Sequence, residues 1–263
     1  MIMKEIKKEE KTDKITLATN ILTRLAYADT SFGVSELGRN LSKSKAYTHR
    51  LLTSLESVGW LSKDRDSQRY KVGDKLFSLA LLLASRYHLS KIASLYLYEL
   101  ADITDETTAL SVRIGYERLF VQQVPAKHDN QQMVILGQRY PLWLGATGKV
   151  MAAYLSDPEI DELLDIMKRE WPTFNAPPST FDTIQYRHTL NDIKKHGYAI
   201  SVGEYIPDIC VLSAPIFDRN QTVIGSLIVR GKSPRFNQER AIKYSPVITK
   251  MANNITRELQ DMA

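Results

Sequence analysis

The sequence contains a single cysteine, and this scarcity limits the kinds of site that it can form. With Cys210 alone, the chain forms no intramolecular disulfide and no zinc site built on several cysteines, and it fits a reducing compartment. No apolar run approaches the roughly 20 residues that a membrane-spanning helix needs. The first 14 residues are charged and lack the apolar segment of a secretory signal. We therefore expect a cytoplasmic protein that does not enter a membrane.

The sequence also lacks the motifs of common enzyme classes. It has no nucleophile elbow, no phosphate-binding loop and no group of His, Asp or Glu with metal-ligand spacing, and its five histidines are scattered. Cys210, His196 and Asp208 are the remaining candidates for a nucleophilic group, but a single cysteine in a strand is more often part of a core. We expect no catalytic residue, no metal and no cofactor. The alternative is an enzyme that handles a small molecule in its C-terminal part, with an accessory helical module.

Positive charge is unevenly distributed along the chain. Residues 1–90 carry 16 Lys and Arg against 10 Asp and Glu, whereas residues 91–263 carry 19 against 20. This asymmetry favours a basic module that meets a polyanion such as nucleic acid, joined to a near-neutral module with another task. The alternative is a chance excess of charge on a solvated surface.

The N-terminal part has the pattern of three helices followed by a hairpin. Apolar residues recur at helical spacing after Ile15, in VSELGRNL, where Ser35 is a possible N-cap, and between Lys45 and Gly59. Two short strand-like segments around a polar tip follow in GWLSKDRDSQRYKVG. We predict a winged helix-turn-helix over 15–74, after a mobile tail at 1–14.

The remainder of the chain predicts a linker helix and a second domain. From Lys75 the sequence continues without proline or glycine through a long apolar segment, which predicts a linker helix over 75–90. Strand-like segments then alternate with short helices without strict βαβ order; they are TTALSVRI, RLFVQQV, QMVIL, YAISVGEY, VLSAPIF and TVIGSLIVR. We predict an α+β domain over 91–263.

Three groups of segments, taken in order, resemble the IclR family of bacterial transcription regulators from about Ile15 to Leu259. They are ELGRNLSKSKAYTHRLLTSLESVGWL with RYKVGDKLFSLA, then YPLWLGATGKVMAAYLS, then GYAISVGEY with LSAPIFDRNQTVIGSLIVRG. The resemblance implies a winged-helix domain, a helical linker and a GAF/PAS-like domain that senses a small molecule. It also implies dimers or tetramers on double-stranded operator DNA, and so a regulator, in our interpretation a repressor, of a catabolic operon.

The resemblance implies that the third helix is a recognition helix. The N-terminal turns of such a helix lie nearest the base edges in the major groove. Lys45 and Arg50 suit a phosphate or a guanine edge, and Tyr47 suits a thymine methyl group or a phosphate. The predicted DNA contacts are Ser44, Lys45, Ala46, Tyr47, His49 and Arg50 in the helix and Arg65, Gln68 and Arg69 in the hairpin. Relatives often have serine at position 46, so we expect a different operator. A solvated charged face, or a winged helix that contacts only proteins, is the alternative.

In the second domain, GATGK opens a helix whose free backbone N–H groups suit a carboxylate; a tight turn with nothing bound is the alternative. The resemblance implies that a small organic acid or sugar acid binds here. The predicted effector-binding residues are Leu136, Gly145, Ala146, Thr147, Ser201, Val211, Ile228 and Arg230. Arg230 either pairs with a carboxylate or phosphate or is an ordinary surface arginine. Cys210 lies one position from the family's cysteine, so strand alternation turns it to the other face. We therefore expect a different acid.

Overall fold

The computed structural model describes residues 13–28, 30–85, 87–128, 135–170, 182–233 and 235–262. The chain divides into two compact units, Met1–Tyr87 and His88–Ala263, which we call the N-terminal and C-terminal units. Most of the predicted tail and the Pro-rich segment after Glu170 lie outside the described residues. In the described part of the chain, no helix is both long and apolar enough to cross a membrane.

The N-terminal unit has the predicted order of three helices and a hairpin. Its elements are α1 (Lys14–Tyr27), α2 (Val34–Asn40), α3 (Lys45–Ser57), β1 (Leu61–Lys63), β2 (Tyr70–Val72) and α4 (Asp74–Ser85). Strands β1 and β2 pair in antiparallel fashion. The core consists of apolar side chains from the helices and the hairpin, among them Ile21, Leu37, Leu52 and Tyr70, all fully buried.

A close contact between α2 and α3 fixes the direction of α3. A Cβ atom at Gly38 would lie 3.2 Å from the Lys43 carbonyl oxygen and 3.2 Å from Thr48 Oγ1. The Thr48 hydroxyl donates to the Ser44 carbonyl at 3.0 Å, and the Ser44 hydroxyl caps α3 by accepting from the Tyr47 N–H. The cap predicted for α2 at Ser35 is wrong, because α2 begins at Val34 and Ser35 lies inside its first turn.

The predicted linker helix corresponds to α4, which ends at Ser85 and has no fully buried residue. The next helix, α5 (His88–Thr104), already belongs to the C-terminal unit. Its Leu89, Ala93 and Leu97 recur every four residues and are buried in the core of that unit. These apolar side chains hold the chain to the C-terminal core from the first turn of α5 onward.

The C-terminal unit is an antiparallel sheet with helices on its faces, the α+β architecture that was predicted. After α5 come β3 (Thr107–Ile114), β4 (Glu117–Val124), β5 (Arg139–Pro141), α6 (Gly145–Ala152), α7 (Asp157–Glu170), α8 (Thr183–His196), β6 (Ala199–Val202), β7 (Ile209–Phe217), β8 (Val223–Lys232) and α9 (Gln238–Asp261). The strand order is β5-β4-β3-β8-β7-β6.

Strand alternation divides the sheet residues between two faces. Leu110, Leu212 and Leu227 face α5 and α9 in one core. Ala109, Phe120 and Ile228 form a smaller cluster, and Ala109 is paired with Ile228 across neighbouring strands. A separate core joins α6, α7 and α8. The second face of the sheet therefore remains partly open beside the start of α6.

Two features of this unit differ from the expectations. Of the predicted strand QMVIL, residues 132–134 lie outside the described residues, and Ile135 and Leu136 are not in a strand. Strand β6 ends at Val202, and a bent segment follows it where the prediction continued the strand to Tyr205.

At the start of α6, a Cβ atom at Gly148 would lie 2.3 Å from the Leu142 carbonyl oxygen, so glycine allows the helix to approach this backbone closely.

Candidate DNA-binding surface and effector cavity

The first turns of α3 present their basic side chains to solvent. Lys45, Ala46, His49 and Arg50 are exposed, whereas Tyr47 is half-buried. The opposite stripe of the helix holds it in the core through buried residues, which are Thr48, Leu52 and Leu55. The apolar face thus orients α3, and the exposed face has the residue types that were predicted to contact DNA.

The basic side chains on and beside the first turns of α3 have no acidic partners in the described part of the chain. No ion pair involves Lys45, Arg50 or Arg65 there. Arg39 and Lys43 line a groove beside Lys45, between α2 and α3, and sequence reasoning did not include them. This surface, which we call the α3 surface, comprises Arg39, Lys43, Ser44, Lys45, Ala46, Tyr47, His49 and Arg50. Its positive charge is therefore not neutralised by neighbouring carboxylates of the described residues.

In the hairpin, the three predicted contact residues have different surroundings. Arg65 is exposed at the tip, and the Gln68 amide donates to its carbonyl at 2.7 Å. The Arg69 guanidinium donates instead to the Ser31 carbonyl and forms an ion pair with Glu36 at 3.1 Å. Arg69 thus holds the hairpin to α2 and the preceding loop, which the sequence prediction did not foresee.

The C-terminal unit contains a cavity between the open face of the sheet and the start of α6. It has a cavity volume of about 50 Å³ and opens to solvent. Seven of the eight predicted effector-binding residues line it: Gly145, Ala146, Thr147, Ser201, Val211, Ile228 and Arg230. Leu136 is not among the lining residues and is partly exposed, which differs from the expectation. The strand residues meet here because Ser201, Val211 and Arg230 are directly paired neighbours on β6, β7 and β8.

The backbone N–H groups at the start of α6 are not all free, contrary to the expectation. The Gly145 N–H donates to the Glu204 carboxylate at 3.1 Å, and the Ala146 N–H donates to the Ser201 hydroxyl at 3.1 Å. Lys149 pairs with the other Glu204 oxygen at 2.6 Å. The Ala146 N–H, one of the groups predicted to be free, thus already has a partner, and a carboxylate of the chain itself lies beside the start of α6. Glu204 was missed because it lies 59 residues from Gly145 in the sequence.

The cavity also contains an arginine that sequence reasoning missed. Arg118, on β4, is only 6% exposed, and its guanidinium lies 4.9 Å from the ring centroids of both Phe120 and Tyr140. Its Nε and Nη1 atoms have no hydrogen-bond partner among the described residues. The Arg118 pKa is lowered to about 10, chiefly by burial and in smaller part by the like charge of Arg230. The side chain nevertheless remains charged at neutral pH.

Other missed lining residues are mostly aromatic or apolar. They are Phe120, Tyr140, Leu144, Tyr205, Ile206 and Ile209. The rings of Phe120 and Tyr140 are 5.7 Å apart in an edge-to-face arrangement, and Tyr205 continues the series at 5.8 Å from Tyr140. The cavity therefore combines an aromatic wall with two arginines, Arg118 and Arg230, a composition that suits an acid with an apolar body.

Comparison with known families covers both units. The description "IclR helix-turn-helix domain" matches residues 17–65, and "Bacterial transcriptional regulator IclR C-terminal" matches residues 82–257. The chain belongs to the IclR family. It is thus a DNA-binding transcriptional regulator and not an enzyme, as the quoted segments indicated.

Individual IclR-family relatives span nearly the same length. The HTH-type transcriptional regulator KdgR of Escherichia coli K12 is 24% identical over 86% of this chain and 85% of its own length. The glycerol operon regulatory protein of Streptomyces coelicolor is 27% identical over 92% of this chain and 94% of its own. The crystal structure of an IclR homologue from Microbacterium hydrocarbonoxydans complexed with 4-hydroxybenzoate is 18% identical, with a TM-score of 0.77 over 94% of this chain and 100% of that chain. This last likeness concerns the fold.

The environment of Cys210 does not favour the nucleophilic group that the sequence left open. Cys210 is fully buried in the core between the sheet and the helices α5 and α9, whereas its neighbour Val211 lines the cavity. The prediction that alternation turns Cys210 away from the site is therefore confirmed. Burial raises the Cys210 pKa to about 11, with a smaller contribution from Glu106. The thiol thus stays protonated at neutral pH and is a poor nucleophile.

Proposed function

We propose that this protein binds the operator of a catabolic operon in the bacterial cytoplasm, and that a small organic acid or sugar acid alters this binding. The observation that carries the proposal is the α3 surface. Its exposed cations lie on the first turns of a helix whose other side is fixed in a core. Exposed cations without acidic neighbours suit the phosphates and base edges of DNA.

The DNA contacts that we propose are the predicted residues of α3 together with Arg65 at the hairpin tip. Arg39 and Lys43 extend this surface with two further cations. Gln68 remains a proposed contact, although its amide bonds within the tip. For Arg69 we propose a supporting role, because its guanidinium already binds Ser31 and Glu36.

A second copy of the chain is part of the proposal. Helix α4 exposes large apolar side chains along its length: Phe77, Leu79, Leu81, Leu82 and Leu83. Phe77 and Leu81 are four residues apart and 61% and 55% exposed, so they share one face of the helix. A soluble protein rarely leaves such an apolar face uncovered. We propose that α4 of another copy covers it, which gives a homodimer, or a homotetramer built from dimers, with two α3 surfaces.

The effector is proposed to bind in the cavity lined by the seven predicted residues. Support comes from the aromatic wall and the arginines, which suit an acid with an apolar body. The homologue that was crystallised with 4-hydroxybenzoate indicates that an organic acid is an appropriate class of effector. The glycerol operon regulator indicates that a catabolic operon is an appropriate target.

The DNA-binding part is tested by gel shift with fragments from upstream of the operon that adjoins the gene. Alanine at Arg50 or Lys45 is expected to weaken operator binding by about 1–3 kcal/mol where the side chain contacts a base. A loss that is equal on all sequences assigns the residue to phosphate contact. Lys195→Ala removes the same charge from α8 and is the matched control. Unchanged binding by both α3 variants would contradict the proposal.

A further inference from the structure

The buried position of Arg118 costs free energy in the ligand-free protein. Its guanidinium is almost completely buried, and two of its nitrogen atoms have no hydrogen-bond partner among the described residues. Contacts with the faces of Phe120 and Tyr140 offset only part of the desolvation of a charged group. A buried unpaired arginine that lines a cavity indicates a binding partner that carries negative charge.

The cavity's own acid does not supply this charge. Glu204 is the acidic residue among the described lining residues, and its two oxygens bind the Gly145 N–H and the Lys149 ammonium. Arg230 lines the same cavity and adds a second positive charge close enough to affect Arg118. Among the described lining residues, two arginines thus face one carboxylate, and that carboxylate is bound at the start of α6.

We infer that the effector is a small dianion, a dicarboxylate or a phosphate monoester, whose negative charges are bound by Arg118 and Arg230. This inference rests on the proposed function and specifies the ligand of the same cavity. Guanidinium groups bind carboxylate and phosphate oxygens through paired hydrogen bonds. The apolar part of the ligand contacts Val211 and Ile228 on the sheet. Arg118 is accordingly a specificity-determining residue, and Glu204 disfavours a carboxylate or phosphate of the ligand at the start of α6.

The test measures thermal unfolding and calorimetric binding of the full chain with defined probes at constant ionic strength. The probes are succinate and glutarate, the monocarboxylates butyrate and valerate of the same carbon number, and inorganic phosphate. The two dicarboxylates or phosphate are expected to raise the unfolding temperature, and the monocarboxylates to raise it less. A larger increase with the dicarboxylates than with phosphate indicates a dicarboxylate site, and a larger increase with phosphate indicates a phosphate site. A dianion response no larger than that of the monocarboxylates would overturn the inference.

Variants separate ligand binding from a structural role of Arg118. Arg118→Met should leave the ligand-free protein at least as stable as the wild type, since it removes a buried unpaired charge. It should weaken dianion binding by at least about tenfold. Arg118→Lys keeps the charge and should retain the preference for dianions at lower affinity. Arg139→Met is the matched control, because Arg139 lies on the adjacent β5, half-exposed and paired with Glu117 outside the cavity.

Two results would count against the inference and leave the proposed function intact. The first is that Arg118→Met binds dianions as tightly as the wild type does. The second is that Arg139→Met loses the preference for dianions in the same way as Arg118→Met. Operator binding, measured by gel shift on the same protein samples, reports separately on the proposed function. If the wild type binds no upstream DNA, the proposed function fails, whereas the dianion response of the cavity is still measured directly.

Discussion

Arginine occurs at both candidate sites, in opposite environments. Arg50 lies exposed on the α3 surface of the N-terminal unit, while Arg118 is buried beside two aromatic rings in the cavity of the C-terminal unit. An exposed guanidinium stays hydrated and costs little free energy in the unbound protein. A buried one loses its hydration when the chain folds, and only a bound anion can replace it fully.

This difference determines which anion each site favours. Exposed cations on a convex helix bind a polyanion chiefly by releasing its condensed counterions, so their contribution depends strongly on salt. Buried cations in a cavity bind a small anion through short, directed hydrogen bonds that are screened much less. The sign of the charge is therefore the same at both sites. We propose that the degree of burial decides which of them binds the operator and which binds the effector.

The largest effect that we expect concerns salt. Raising potassium chloride from 50 to 200 mM should weaken operator binding by about 10³–10⁵-fold if the assembled protein neutralises about 6–10 phosphates. Succinate binding by the cavity should change by less than about tenfold over the same range. Fluorescence anisotropy of labelled operator and calorimetry of succinate measure how each affinity changes with salt concentration. Equal salt dependence would show that burial does not distinguish the two sites.

A somewhat smaller effect is expected from a charge on α4. Leu81→Lys places a cation on the proposed contact between copies, so the chain should sediment as a smaller species. Operator affinity should fall by about 10²–10⁴-fold, because two linked α3 surfaces bind far more tightly than one. Succinate binding should be unchanged, since the described residues that line the cavity all lie outside α4.

The matched control for α4 is Ile184→Lys on α8, where the isoleucine is 67% exposed and lies outside α4. It adds the same charge and should leave both assembly and operator binding unchanged. If Leu81→Lys sediments like the wild type and binds the operator normally, α4 is not the contact between copies.

The sequence predicts the structure best where local periodicity determines it. The apolar spacing of α3 identified its buried stripe, and hence the face that carries Lys45 and Arg50. Period-two alternation on β7 turned Cys210 away from the cavity and Val211 toward it. In both elements, one face of a regular structure is fixed by burial, so the direction of the other face follows.

Contacts between distant segments were not predicted. Arg69 is 33 residues from Glu36 in sequence, and Gly145 is 59 residues from Glu204, so no local pattern connects either pair. Arg118 did leave a signal, because it lies two residues from Phe120 and therefore on the same face of β4. Helices cover parts of the sheet on both faces, however, so the sequence alone does not show which face lines a cavity.

The smallest effects that we expect come from alanine substitution of two arginines of one hairpin. Arg65 lies at the exposed tip, and Arg69 binds Ser31 and Glu36. Arg65→Ala should weaken operator binding and reduce the salt slope by about one, with no change in stability. Arg69→Ala should instead destabilise the folded protein by roughly 1 kcal/mol, a modest value because the Arg69 side chain is 42% exposed. Urea unfolding and operator titration at several salt concentrations measure both quantities on each variant. If Arg69→Ala keeps full stability and lowers the salt slope as Arg65→Ala does, then Arg69 contacts phosphate, and its bonds to Ser31 and Glu36 do not hold it away from DNA.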